Sequence, residues 1–281
     1  MEFVFKGFRL DFASRTHIMG ILNVTPDSFS DGGLFYEPDR AIDRADQMVE
    51  EGADIIDIGG LSTRPGSEPV SEQEEADRVL PVIEAVAPEA GVPISIDTYR
   101  ASVARQALAA GASIVNDISG LRFDPDMAQV AASHSAPVAL MHIKGTPRDM
   151  QQSPMYEALI PEILDYLRGS IRLAEDAGIT QIMIDPGIGF GKTFDHNLTI
   201  INRLDEFVRM GYPVLVGPSR KAFIGAVLGG LPQSERMEGT AAVVAASIMK
   251  GAHIMRVHDV KEMARVARVT DAILRESTDR P

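Results

Sequence analysis

Short apolar, β-branched runs recur along the chain at His17–Val24, Asp54–Ile58, Pro93–Asp97, Ser113–Ile118, Pro137–Met141, Gln181–Asp185, Pro213–Val216 and His253–Val257. Near-continuous runs of this length are what parallel strands covered on both faces need. Most are separated by a helical pattern that stops at glycine. Arg40–Gly52 places Ala41, Ile42, Ala45, Met48 and Val49 on one stripe and ends at Gly52. The patterns Ser102–Ala110, Ile163–Ala177, Leu198–Met210 and Thr240–Lys250 run into Gly111, Gly178, Gly211 and Gly251. Glycine there supplies the left-handed residue that ends a helix. Ser71 and Glu74 predict a capping box ahead of Ala76, Val79, Leu80 and Ile83, and Pro81 predicts a kink or a split in that helix.

Eight strands with intervening helices amount to one βα unit per about 35 residues, the arithmetic of a single (β/α)8 TIM barrel. An open doubly wound α/β sheet is the competitor, and eight strands are many for it. No Pro/Ser/Gly tract or long charge block divides the chain, so residues 1–281 are expected to form one domain. The leading FVFKGFRLDF (3–12) alternates apolar and polar around Gly7. It reads as a β-hairpin closing the bottom of the barrel.

Composition narrows the function. Lys+Arg 27 against Asp+Glu 40 gives 27 − 40 = −13, so a nucleic-acid partner is disfavoured and any anion must meet a local cationic spot. The chain has no cysteine, which excludes disulfides, a thiol nucleophile and thiolate metal sites. Its longest apolar stretch, Ala241–Met249, is far short of the roughly 20 residues of a membrane helix. With no signal-like run at its start, the chain is expected to be soluble and cytoplasmic, with no membrane partner.

A barrel's active site lies at the C-terminal ends of its strands. Those ends carry Asn23 and Asp27, Thr63 and Arg64, Asp97, Asn116 and Asp117, Met141 and His142, and Asp185. Gly217, Ser219, Arg220 and Lys221 follow strand seven, with Arg256 and His258 at strand eight. Asp97, Asn116 and Asp185 suit a flat heterocycle with amide- and guanidine-like edges, whereas Arg64, Arg256 and His258 are donors for an oxyanion. Lys221 could serve either end. One ligand with a polar ring and a phosphate tail fits that division; alternatively, the acids and arginines pair with each other across the rim.

PGIGFGKT (186–193) imitates a phosphate loop, but Pro186 stands where the motif needs glycine, and its core lacks the third glycine of a dinucleotide fingerprint. Six scattered histidines offer no zinc pattern. Mg²⁺ asks less of a protein, often one oxygen plus substrate phosphates. Met141 stands out among the 13 methionines as a possible ligand platform, against the ordinary role of core filler.

Several runs together resemble the dihydropteroate synthases. They are MGILNVTPDSFSDGG (19–33), DIIDIGGLSTRPG (54–66), SIDT (95–98), IVNDISG (114–120), MHIKGTP (141–147), DPGIGFGKTFDHN (185–197), GPSRKAFIG (217–225) and RVHD (256–259). The resemblance implies condensation of (7,8-dihydropterin-6-yl)methyl diphosphate with 4-aminobenzoate by an SN1-like displacement. It implies Asn23 as the Mg²⁺ ligand, and Asp97, Asn116, Asp185 and Lys221 around the pterin, with Met141 and Gly217 lining its slot. Thr63, Arg64, Arg256 and His258 match positions near the diphosphate. Phe190, Pro69 and Ser219 match the aminobenzoate channel, with the loops Asn23–Gly33 and Ser62–Ser67 closing over it. Asp97, Arg64, Lys221 and Asp27 are the catalytic candidates, and a homodimer through late helices is implied. Two positions depart from the family pattern. Ala222 stands where serine is usual, which implies weaker hold on the aminobenzoate carboxylate, and Leu61 stands where glutamate is common. A non-catalytic pterin-binding protein and a corrinoid-dependent methyltransferase are the competing readings of the same motifs.

Overall fold

The computed structural model describes residues 1–25, 38–61 and 70–279. Two strands, β1 (Glu2–Phe5) and β2 (Phe8–Asp11), form an antiparallel hairpin in which Phe5 faces Phe8. Both turn residues, Lys6 and Gly7, have positive φ (43° and 84°), the geometry that matches the twist of a two-residue hairpin.

Eight parallel strands follow: β3 (His17–Asn23), β4 (Ile55–Gly59), β5 (Ile94–Asp97), β6 (Ile114–Asp117), β7 (Val138–Met141), β8 (Ile182–Asp185), β9 (Leu215–Val216) and β10 (Ile254–Val257). Their order is β8-β7-β6-β5-β4-β3-β10-β9. A parallel bridge between Ile184 and Val214 joins the two outer strands, so the sheet closes as a barrel. The strands match the eight sequence runs, shortened by a residue or two at their ends, except that β4 is shifted one residue onward to Gly59.

Around the barrel lie α1 (Pro38–Glu51), α2 (Glu72–Val86), α3 (Ala101–Ala110), α4 (Met127–Ser133), α5 (Leu159–Asp176), α6 (Phe194–Asn202), α7 (Asp205–Val208), α8 (Ala222–Val227), α9 (Met237–Met249) and α10 (Val260–Arg275). Three expectations are corrected. The helix foreseen over Leu198–Met210 is two helices: Thr193 caps α6 in a reciprocal capping box with His196, and Arg203 leaves helical geometry before α7 begins. Helix α2 is not split at Pro81, because Pro81 and Asp77, whose carbonyl loses its donor, both lie on the exposed face where water can substitute. At the start of α2 only half of the capping box forms. Ser71 Oγ accepts from the Glu74 N–H, while the Glu74 carboxylate is taken by Arg78 at 2.5 Å.

Strand register sorts side chains by parity. Met19 pairs with Ile55, Ser95 with Ile114, Ala139 with Met183 and Ile254 with Leu215, so these residues share the barrel interior. Their lower layer packs against Phe3, Phe5, Leu10 and Phe12 of the hairpin and its exit, which plugs the bottom. The alternate set, including Ile18, Leu22, Ile56, Ile58, Ile96 and Leu140, faces outward onto helix residues such as Ala41, Ala45 and Met48. Each fully buried side chain of this kind contributes roughly 1.5–3 kcal/mol. Gly20 is required by this contact: a Cβ there would stand 2.9 Å from Met48 Sδ and 3.1 Å from Val260. No described helix is long and apolar enough to cross a membrane.

Candidate active site

The same alternation that builds the apolar floor delivers polar groups two residues later. Following Ile55, Ile114, Met183 and Ile254 inward along their strands come Asp57, Asn116, Asp185 and Arg256. The register places Asp97 beside Asn116 and Met141 beside Asp185. These ends open into a cavity of about 590 Å³, lined among others by Asn23, Leu61, Asp97, Phe190, Gly217, Ser219, Lys221, Ala222, Arg256 and His258.

Arg256 organises the centre. Its Nε donates to Asp57 Oδ2 and its Nη2 to Asp97 Oδ2, both at 2.6 Å. Asp57 Oδ2 also accepts from Asn116 Nδ2 at 3.0 Å, whereas Oδ1 is buried with no hydrogen-bond partner among the described residues. Arg256 therefore crosses the division between ring-side acids and oxyanion-side donors that the sequence suggests. The acids and the arginine do pair.

Burial sets the protonation of this cluster. It pushes the Asp97 carboxyl up to about 7, against the pull of Arg256 and with the help of Asp57. It raises Asp185 to about 6, opposed by the Gly187 N–H that donates to Asp185 Oδ1 at 2.7 Å and by Lys221. Burial lowers Lys221 to about 8, aided by Arg256 and resisted by Asp185 and Asp97. For Arg256, burial works to lower the pKa, yet Asp57 and Asp97 hold it above its usual value. Burial and the adjacent Arg256 bring His258 down to about 3, so it is a neutral imidazole. Its Nδ1 lies 2.9 Å from Ser219 Oγ.

The loop after β8 carries Phe190 under Lys221, whose Nζ is 4.2 Å from the ring centroid. The loop is pinned from several elements. Asn197 Oδ1 accepts from the Gly189 N–H, Gln151 donates to the Gly189 carbonyl, and Tyr156 donates to the Gly191 carbonyl. Lys192, buried and held well below its normal pKa, donates to the Phe190 carbonyl at 2.9 Å and lies 2.9 Å from His142 Nδ1. Gly187, with φ 72°, admits this path: a Cβ there would fall 1.9 Å from the His142 carbonyl oxygen.

Nine of the sequence candidates thus line one cavity: Asn23, Asp97, Phe190, Gly217, Ser219, Arg220, Lys221, Arg256 and His258. Asn116 and Asp185 stand beside it, buried and tied to its lining through Asp57 and Lys221. Met141 is buried with Ile118, Ile143 and Met150 against Phe190, so it is both core and backing for the cavity wall. Asp27, Thr63, Arg64 and Pro69, and most of both loops expected to close over the site, lie outside the described residues. Asp57, Lys192, Gln151, Asn197 and Arg236 were not foreseen. Asp57 had a signal, a carboxylate at an inward position of an apolar strand; Lys192 and Gln151 had none, because their roles depend on how loops fold over one another.

Among the described residues no group of three or more His, Asp or Glu converges as a metal cage. Asn23, at the end of β3, offers one amide oxygen to the cavity. That donor set fits a Mg²⁺ ion bound chiefly by substrate oxygens and water.

The pterin binding enzyme family matches residues 19–258 of this chain. Dihydropteroate synthase of Bacillus subtilis is 53% identical over 271 residues, 96% of this chain and 92% of that protein. The Escherichia coli K12 enzyme is 46% identical over 276 residues, 98% and 97% of the two chains. A solved Yersinia pestis dihydropteroate synthase in complex with a sulfonamide drug superposes with a TM-score of 0.92 at 43% identity, covering 99% of this chain and 100% of that one. One from Clostridium difficile, solved in the presence of pteroic acid, gives 0.89 at 48% identity over 95% and 99%. With eight strand-end motifs in register, a matching barrel and relatives of this closeness over nearly the whole length, the chain belongs to the pterin-binding enzymes, in their dihydropteroate synthase branch.

Proposed function

We propose that this cavity joins (7,8-dihydropterin-6-yl)methyl diphosphate to 4-aminobenzoate, with the diphosphate leaving before the amine attacks. The observation that carries the reading is the polar layer at the strand ends, in which Asp57, Asn116 and Asp185 are buried and Asp97, Lys221 and Arg256 half-buried. Asn116 spends one amide hydrogen on Asp57 and keeps its oxygen for a ring N–H. Asp185 spends Oδ1 on Gly187 and keeps Oδ2 for the amino-amidine edge of the pterin. Lys221, seated on Phe190, donates to the ring's acceptors.

Arg256 faces the diphosphate end with neutral His258, which contributes a hydrogen bond and no charge. Thr63 and Arg64 are assigned to the same end. Asn23 is the residue that would hold Mg²⁺, and the ion supplies charge neutralisation to the departing diphosphate. The C–O bond to the exocyclic carbon breaks with its electron pair going to diphosphate. The carbon left behind is a pterin-stabilised cation, and ionised Asp97 stabilises it electrostatically. The neutral arylamine then forms the C–N bond, and its surplus proton leaves with the diphosphate. No strong base is needed, which agrees with a site whose His258 is held neutral by burial and by Arg256.

Support for a homodimer comes from α9, whose sequence MEGTAAVVAASIM is apolar on almost every face, although Met237 and Met249 are 40% and 60% exposed. Sedimentation equilibrium returning a monomer at micromolar concentration would remove this part.

The reaction is tested by diphosphate release from purified protein with Mg²⁺ and dihydropterin diphosphate, with and without 4-aminobenzoate. Release that requires 4-aminobenzoate and equals the dihydropteroate formed is expected. Tight dihydropterin diphosphate binding without turnover would leave a pterin-binding protein instead.

A further inference from the structure

We propose that Arg220 and Asp259 are a positioning pair that clips the loop after β9 to the end of β10, setting Ser219 and Lys221 opposite Arg256 and His258. The pair breaks two local rules at once. Arg220 has φ 55°, a left-handed conformation that L-residues other than Asn and Asp rarely take. Asp259 occupies the N-cap of α10, where an aspartate normally accepts a helix N–H, yet it makes no capping bond. Both its oxygens instead take the Arg220 fork, Oδ2 from Nε at 2.9 Å and Oδ1 from Nη2.

The strained backbone is held on each side. The Arg220 N–H donates to Thr240 Oγ1 at 3.0 Å, and its carbonyl accepts from Arg236 Nη1 at 3.0 Å. One residue earlier, Ser219 Oγ accepts from the His258 N–H at 3.2 Å and lies 2.9 Å from His258 Nδ1. Two consecutive residues, 219 and 220, are therefore tied to two consecutive residues, 258 and 259. Backbone pairing does not reach this far. Strand β9 has two residues, its parallel register with β10 ends at Val216 opposite Met255, and it meets β8 through a single bridge. Strain of this kind persists only where the surroundings over-determine it, and local rules broken together mark a functional site.

The test compares Arg220→Lys, Arg220→Asn, Asp259→Asn and the double variant Arg220→Lys/Asp259→Asn by kcat, KM for each substrate, and Tm. Asparagine tolerates the left-handed backbone, so Arg220→Asn isolates loss of the fork. A misplacement of the reacting groups by a fraction of an ångström predicts a fall in kcat of about tenfold in each single variant. Tm is expected to stay within about 3 °C of the parent. The double variant should be no worse than the poorer single one, because the two residues act as one unit. Arg220→Lys, which keeps the charge, should retain more activity than Arg220→Asn. Parental kcat in the single variants, additive losses in the double, or losses that vanish once the folded fraction is corrected would each overturn the proposal. The readout rests on the reaction proposed above. If the parent makes no dihydropteroate, that reading fails; calorimetric affinity for dihydropterin diphosphate, weakened in the variants or unchanged, then decides the pair.

Discussion

The two ends of this barrel are built from the same strands by the same alternation, and they do opposite things. At the bottom, Ile55, Ile114, Met183 and Ile254 meet the phenylalanines of the hairpin. Two residues further along, the inward positions hold Asp57, Asn116, Asp185 and Arg256. The lower layer excludes water and gives the chain a fixed closed end. The upper layer buries charge that only mutual pairing makes tolerable, and among the described residues one carboxylate oxygen of Asp57 has no hydrogen-bond partner. Inside the barrel, apolar packing is concentrated at one end and chemical capability at the other, about 7 Å apart along each strand.

The largest effects should come from emptying each layer in turn. Phe12→Ala removes a ring stacked edge-on against Phe3 at 5.0 Å, and is expected to cost about 3 kcal/mol in urea denaturation. Its kcat/KM should equal the parent's below the unfolding transition, because nothing it touches reaches the cavity. Arg256→Met leaves Asp57 and Asp97 buried together without their cation, at a cost of about 3–5 kcal/mol and all measurable turnover. Adding Asp57→Leu should restore most of the stability and none of the activity, since an apolar pair can replace a buried ion pair. A carboxyl whose folded pKa is raised stabilises fully below its unfolded value near 4 and loses that contribution as pH rises through the folded value. The Arg256→Met deficit should accordingly shrink between pH 8 and pH 5. If Phe12→Ala lost turnover while folded, or the double variant regained it, the separation of the two ends would be wrong.

The apolar end was the more legible in the sequence. Burial on both faces writes itself as continuous β-branched runs, and all eight were visible, as were the glycine stops after α1, α3, α5 and α9. Helix continuity was harder. A proline on an exposed helix face costs little enough for α2 to continue past it, and a local cap at Thr193 divided what periodicity joined. At the polar end, residues at the tips of strands were identifiable from position alone. Asp57 stands two residues before the end of its strand, and Arg220 with Asp259 is defined by conformation and pairing across 39 residues. Residue type does not report such partners. Neither could it show that Arg256 would bridge both kinds of acid.

A second test asks whether the upper layer titrates as a unit. Facing the cavity, Asp97 has its pKa near 7 and Lys221 near 8. If Asp97 acts ionised and Lys221 protonated, kcat/KM falls on the acid side as Asp97 takes up a proton and on the alkaline side as Lys221 loses one. The profile should then be a narrow bell, falling about tenfold per pH unit outside it. In Lys221→Arg the alkaline limb should vanish from the residual activity, because arginine does not titrate there. In Asp97→Asn the acid limb should go. A flat profile from pH 6 to 9 would detach catalysis from this cluster, and an acid limb surviving in Asp97→Asn would belong to Asp185, raised to about 6, or to the diphosphate.

The smallest effect concerns the rim of the cavity, where neither apolar packing nor buried charge dominates. Ala222 is exposed, lines the cavity beside Lys221, and is the first residue of α8. A backbone N–H at that position has no partner within its own helix and is free for an incoming carboxylate. The side chain offers nothing more. Restoring the usual serine adds one hydroxyl donor, and a solvent-exposed hydrogen bond to a carboxylate is worth about 1 kcal/mol. Ala222→Ser should therefore lower KM for 4-aminobenzoate about fivefold, leaving kcat, KM for dihydropterin diphosphate and Tm where they are. The split matters more than the size. A change in kcat would mean that position 222 acts on the upper layer through Lys221, and an unchanged KM would mean that the backbone N–H alone already holds the carboxylate.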